Sequence, residues 1–106
     1  MKRYDILWAD FDPAQGSEIA KTRPVVVVSL DVLNDALATV TVCPLTSTLH
    51  PGWRCRVQIK CAGKWADVAV DQIMTISKKR LGRKLGALSE AEAASLRRVI
   101  TEMYGE

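Results

Sequence analysis

The sequence predicts a mainly β fold closed by a C-terminal helix, a small barrel-like sheet with the helix packed on it. Three observations carry this prediction. Short apolar runs recur between scattered Gly and Pro residues, several with strict period-two alternation. After Ser89 the apolar spacing changes to the helical one. The chain has 106 residues, 48% hydrophobic and 25% charged, which fits one globular domain spanning residues 1–106. A chain of this size buries roughly 60–70% of the surface it exposes when unfolded, enough for a core without disulfides or a metal.

Residues 4–11 (YDILWADF) read as a first strand, ended by the turn signal Asp12-Pro13 and a polar loop through Thr22. Residues 24–30 (PVVVVSL) give the strongest strand signal: four consecutive valines fit burial on both faces, and Pro24 fits only at a strand's start or edge. Residues 31–38 suggest a turn of helix. Residues 39–44 (TVTVCP) alternate, and 54–60 (RCRVQIK) alternate more cleanly, with Cys55, Val57 and Ile59 in and the polar residues out. Residues 65–70 and 73–76 complete five or six strands. Ser89-Glu90-Ala91-Glu92 then matches a capping box, and Leu96, Val99, Ile100 and Met103 form one apolar helical face.

Composition limits the chemistry. The three cysteines are separated by 12 and 6 positions, with no C-x-x-C pair, and the single histidine is His50. These spacings are those of reduced thiols in a reducing compartment and not of a zinc site, so no metal and no cofactor are expected. No apolar run approaches the roughly 18 residues that span a bilayer, and Met1-Lys2-Arg3 leads into a strand instead of a signal-peptide core, so a cytoplasmic protein without a membrane partner is expected.

Pairing the second and third strands as an antiparallel ladder sets the start of one beside the end of the other. Arg23 and Thr46 then become neighbours. A guanidinium offers a planar fork of donors suited to phosphate, and a hydroxyl adds a short adjustable donor or acceptor. On spacing alone, a solvated Arg and a polar Thr-Ser-Thr turn are the commoner reading of such residues. Residues 78–84 (KKRLGRK) hold five basic residues in seven. Together with Arg54, Arg56 and Lys60, the cations Lys78, Lys79 and Arg80 suit a phosphate backbone or simply a solvated positive face. Trp53 and Trp65 flank the basic strand, placed either for stacking on bases or for packing.

At residues 10–28 (DFDPAQGSEIAKTRPVVVV), 42–47 (VCPLTS), 69–81 (AVDQIMTISKKRL) and 84–89 (KLGALS) the chain resembles the MazF/PemK toxin family. The likeness runs over nearly the whole length, and the combination of motifs is more specific than any fragment. It implies an SH3-like barrel with a C-terminal helix that works as a homodimer. The implied activity is that of a ribosome- and metal-independent endoribonuclease that cuts single-stranded RNA at short recognition sequences. A cognate antitoxin with an acidic, flexible tail is the implied inhibitor. Position by position, the family's catalytic Arg falls on Arg23 and its catalytic Thr on Thr46. Glu18 falls near the active site, and Asp71 matches an acidic residue proposed as general base in some members. The sequence departs from the family pattern at three positions. Ser17 and Ala69 stand where some relatives have histidine and arginine, and Met74 replaces a usual arginine.

In metal-free cleavage the RNA's own 2′-hydroxyl is the nucleophile. Arg23 suits stabilisation of charge on the phosphorane-like transition state, and Thr46 suits orientation of the phosphate. The expected ends are a 2′,3′-cyclic phosphate and a 5′-hydroxyl. Two other classes fit a small basic barrel: a non-catalytic toxin of the CcdB type that engages gyrase, and an RNA-binding module that does not cut. The R-P-V and P-L-T-S motifs favour the nuclease.

Overall fold

The computed structural model describes residues 1–11 and 22–105. Seven strands, β1 (Asp5–Ala9), β2 (Arg23–Val27), β3 (Thr39–Thr46), β4 (Arg56–Cys61), β5 (Lys64–Ala69), β6 (Met74–Ser77) and β7 (Leu81–Ala87), are joined by helix α1 (Asp31–Ala36) and closed by helix α2 (Glu90–Tyr104). All ladders are antiparallel, in the order β4-β5-β3-β2-β1-β7, with β6 also on β3. The eight-residue β3 makes this possible. One edge of it pairs with β2, while the other pairs first with β6 through Thr39–Val42 and then with β5 through Leu45 and Thr46. That change of partner curls the sheet into a partial barrel whose end strands, β4 and β7, do not meet.

The valine run works as its composition implies. Val26 and Val28 join one core cluster with Ile6, Leu45, Ile59 and Val68, while Val25 and Val27 join a second with Leu7, Val40, Val42 and Ile76. All four valines are buried, and such side chains contribute about 1.5–3 kcal/mol each. Pro24 is the second residue of an interior strand, yet the ladder with β3 begins only at Val25, so no pairing is broken. Met74, where the family pattern has arginine, packs against the second cluster.

Helix α2 covers the first cluster with Leu96, and with Val99 and Ile100 partly buried. Met103, expected on the same face, stands at the rim and is exposed. The Ser89 hydroxyl accepts from Glu92 N–H at 3.1 Å, and the Glu92 carboxylate accepts from Ser89 N–H at 2.9 Å. Ser89→Ala is therefore expected to cost about 1 kcal/mol of stability, read from the midpoint of urea unfolding. An unchanged midpoint would show that the box adds nothing in solution.

Two expectations are corrected. The strand β7 was not legible: its segment LGRKLGA carries two glycines and two cations, and it pairs with β1 through an irregular, shifted register. The basic run 78–84 is accordingly divided between a 3-10 turn at Lys78–Arg80 and the start of β7. Arg56, expected to project outward with Arg54 and Lys60, instead has a side chain only 7% exposed. Alternation assigns it to the polar face, but at that point the face is covered by two carboxylates. Among the described residues, no helix is long and apolar enough to cross a membrane.

Candidate active site

Strands β2 and β3 pair with Val25 opposite Pro44 and Val27 opposite Val42. Continuing that register by two residues sets Arg23 across from Thr46. Both are half-buried, and both line a cleft of about 440 Å³. The Thr46 hydroxyl oxygen accepts from Thr48 N–H at 3.2 Å. This turn fixes the side chain and leaves its proton free to donate to an incoming anion. Ser47 and Thr48 add two more hydroxyls to the same wall.

The order β5-β3-β2-β1 continues the site on either side of this pair. Trp65 of β5, Thr46 of β3, Arg23 of β2 and Trp8 of β1 lie on successive strands and all line the cleft, with Lys64 at its rim. Trp8 and Lys64 were missed in the sequence. Trp8 sits in an apolar run where an aromatic residue reads as core, and Lys64 follows a tight turn with nothing to mark it as part of a site. That turn is Ala62-Gly63, with φ of 51° and 80°. Two consecutive left-handed residues match the twist of a β-hairpin, and Gly63 adopts the geometry without penalty.

The other predicted residues divide into three groups. Glu18 and Ser17 lie outside the described residues. Asp71 and Arg56 meet away from the cleft lining: Arg56 Nε donates to Asp71 Oδ1 at 2.9 Å and Nη1 to Asp67 Oδ2 at 3.3 Å. Burial pushes the Asp71 carboxyl up, but the Arg56 hydrogen bond, a backbone donor and the Arg56 charge outweigh it, so the group titrates below its ordinary value. For Arg56, burial lowers the pKa, and the two carboxylates raise it further than burial lowers it. Trp53 stacks on His50, centroids 3.6 Å apart and planes 7° from parallel, with the Arg56 guanidinium 4.9 Å from its centroid. Arg54 is exposed and pairs loosely with Glu102 at 3.7 Å. Lys78 Nζ donates to the Asn34 carbonyl, Arg80 Nη1 donates to the Asp10 carbonyl, and Lys79 is exposed.

A lowered carboxyl pKa in the folded state adds stability that is present above the unfolded value and is lost as pH falls through the folded one. For Asp71 that window lies below about pH 4. The stability difference between wild type and Asp71→Asn, from thermal melts, is expected to be full at pH 6 and to shrink toward pH 3. A difference that stays constant down to pH 3 would contradict the ion pair.

Asp67 was not singled out from sequence, although a carboxylate inside the apolar run WADVAV was the available signal. It is fully buried and pairs in register with Thr46 across β3 and β5. Its Oδ2 accepts from His50 N–H at 2.8 Å as well as from Arg56, while Oδ1 has no hydrogen-bond partner among the described residues. Asp67 thus anchors the loop that leaves the cleft at Thr46 and returns at β4. Among the described residues, the cleft is lined by donors suited to an anion, and by neither a carboxylate nor an imidazole.

Comparison with known proteins extends the resemblance. The chain is 38% identical to Endoribonuclease MazF9 of Mycobacterium tuberculosis, covering 91% of this chain and 89% of that protein. MazF from Deinococcus radiodurans superposes with a TM-score of 0.83 at 22% identity, over 100% of this chain and 97% of that one. A mycobacterial endoribonuclease solved in complex with its cognate antitoxin superposes with a TM-score of 0.79 at 20% identity, over 99% and 95%. These two structural matches establish a shared fold. The profile of the family described as PemK-like, MazF-like toxin of type II toxin–antitoxin systems spans residues 2–104, and the chain belongs to that family.

Proposed function

We propose that this toxin endoribonuclease cuts single-stranded RNA at short recognition sequences without a metal ion, using Arg23 and Thr46. The observation that carries the proposal is their meeting in one cleft. The 2′-oxygen of the RNA gives up its proton and attacks the adjacent phosphorus, the bond from phosphorus to the 5′-oxygen breaks as that oxygen takes up a proton, and the products are a 2′,3′-cyclic phosphate and a 5′-hydroxyl. Negative charge grows on the phosphoryl oxygens along this path. Arg23, permanently charged and fork-shaped, supplies donors aimed at that charge, and the free proton of the Thr46 hydroxyl adds another. Neither side chain is suited to take the 2′-proton. Asp71, held ionised by Arg56, is a weak base, which leaves Glu18 as the first carboxylate to substitute.

Two partners follow from the same reading. An antitoxin with an acidic, flexible tail docks on the exposed cations, Arg54 and Lys79 among them, as long-range charge complementarity favours. The toxin acts as a homodimer. Leu30, Val32, Leu33 and Leu37 stand exposed on and beside α1, an apolar group that a protein contact would cover, and sedimentation equilibrium reads the state directly.

The deciding experiment incubates the purified protein with a long single-stranded RNA in excess chelator and maps the ends. Cuts at recurring short sequences, bearing cyclic phosphate and 5′-hydroxyl ends, are expected. Intact RNA would favour a gyrase-directed toxin, and cleavage restored only by Mg²⁺ would overturn the metal-free mechanism.

A further inference from the structure

We infer that Trp65 is a substrate-binding residue of this cleft, the wall on which a nucleobase beside the cleaved phosphate stacks; the inference rests on the RNA-cleavage reading. Three observations lead to it.

The first is exposure. Trp65 is 57% exposed, whereas Asp67, Val68 and Ala69 further along the same strand are buried. An indole left open at the mouth of a cleft is a large apolar surface without a folding role to justify it. The second is position. Trp65 lines the cleft with Thr46 and Arg23, its strand directly beside that of Thr46 and next but one to that of Arg23. Neighbouring strands lie about 4.8 Å apart, so the ring stands within one nucleotide's reach of a phosphate held between those two residues. The Ala62-Gly63 turn fixes the hairpin register and with it the height of Trp65 above the cleft.

The third is the contrast with Trp53, the other indole flanking the basic strand. One face of Trp53 is already taken by His50 at 3.6 Å, and the Arg56 guanidinium lies near the ring as well. Among the described residues, no aromatic ring stacks on Trp65, and the cation over its ring is Lys60 Nζ, at 5.5 Å from the centroid. Lys60 is exposed, so its long side chain is able to turn to a phosphate when a base arrives. Lys64, exposed at the same rim, supplies a second cation for the strand leading to that base. An aromatic plane flanked by cations is the general device for holding single-stranded nucleic acid.

Base-on-aromatic stacking contributes about 1–3 kcal/mol per base, which converts to a factor of about 5 to 150. In steady-state cleavage of a short RNA with one wild-type site, Trp65→Ala is expected to raise KM by about that factor with kcat changed less than about twofold. Trp65→Phe should retain most of the affinity, and Trp53→Ala should leave KM within about twofold. The substrate is then repeated with the base on either side of the cut removed. Wild type should lose with one of the two abasic substrates what Trp65→Ala has already lost, and Trp65→Ala should be indifferent to that same change. Unchanged KM in Trp65→Ala, or losses that simply add for both abasic substrates, overturns the inference while the wild-type activity in the same assay keeps the cleavage reading standing. No cleavage by wild type overturns both. Melting temperatures of the variants, expected to match wild type at so exposed a position, separate lost binding from lost folding.

Discussion

Arg23→Ala and Thr46→Ala are each expected to lower kcat for RNA cleavage by about 10²–10³-fold while leaving the fold intact. The magnitude follows from the role: a preorganised donor aimed at developing charge typically contributes that much. The fold should survive because neither residue is in the core. Arg23 is half-buried at the first position of β2, two residues before the valine ladder begins, and Thr46 closes β3 at its last position. Loss of the Thr46 hydroxyl also removes the acceptor for Thr48 N–H, about 1 kcal/mol of local order. Thr46→Ser keeps both the acceptor and the free proton, so it should retain most of the activity. Arg23→Lys keeps charge but not the planar fork, so it should fall well below wild type yet above alanine. Because the two side chains serve one phosphate, the double alanine variant should be little worse than the weaker single one. Either single alanine variant cutting RNA at nearly the wild-type rate would remove that residue from the catalytic site.

That pair was legible in the sequence for a physical reason. Residues 25–28 and the alternation of TVTVCP each specify a strand, and an antiparallel register between consecutive strands fixes which ends meet. The capping box was legible because both partners lie within four residues of one another. What escaped was set by partners distant in sequence. The turn of Arg56 inward depends on Asp67 and Asp71, 11 and 15 residues away. The strand β7 has no alternation because it lies at the end of the sheet with four of its seven residues exposed, so nothing demands an apolar face. Trp8 and Trp65 come together with Arg23 and Thr46 only through the order of four strands, and a linear pattern does not encode that order.

Asp67→Ala is expected to be among the most destabilising single changes in the chain, at about 3 kcal/mol. Removing one member of a buried ion pair typically costs about 3–5 kcal/mol, because the remaining charge loses its partner without regaining water. The lower end applies here, since Arg56 keeps Asp71 at 2.9 Å. The His50 N–H also loses its acceptor. Asp67→Asn retains an amide oxygen for His50 and should cost less than alanine. Arg56 and Asp67 contribute chiefly by satisfying each other, so replacing both with apolar residues, as in Arg56→Met with Asp67→Val, should cost less than the two single changes added together. Urea unfolding of the four proteins measures this coupling. Additive losses would show that the two groups do not interact in solution. A loss below about 1 kcal/mol for Asp67→Ala would show that water reaches the carboxylate, the range typical of exposed ion pairs. The site itself provides the third readout. Asp67 lies in register with Thr46 and ties down the loop that follows it, so at a temperature where Asp67→Asn remains folded, its kcat should fall further than that of Ser89→Ala, whose hydroxyl serves the first turn of α2 and not the Thr46 loop.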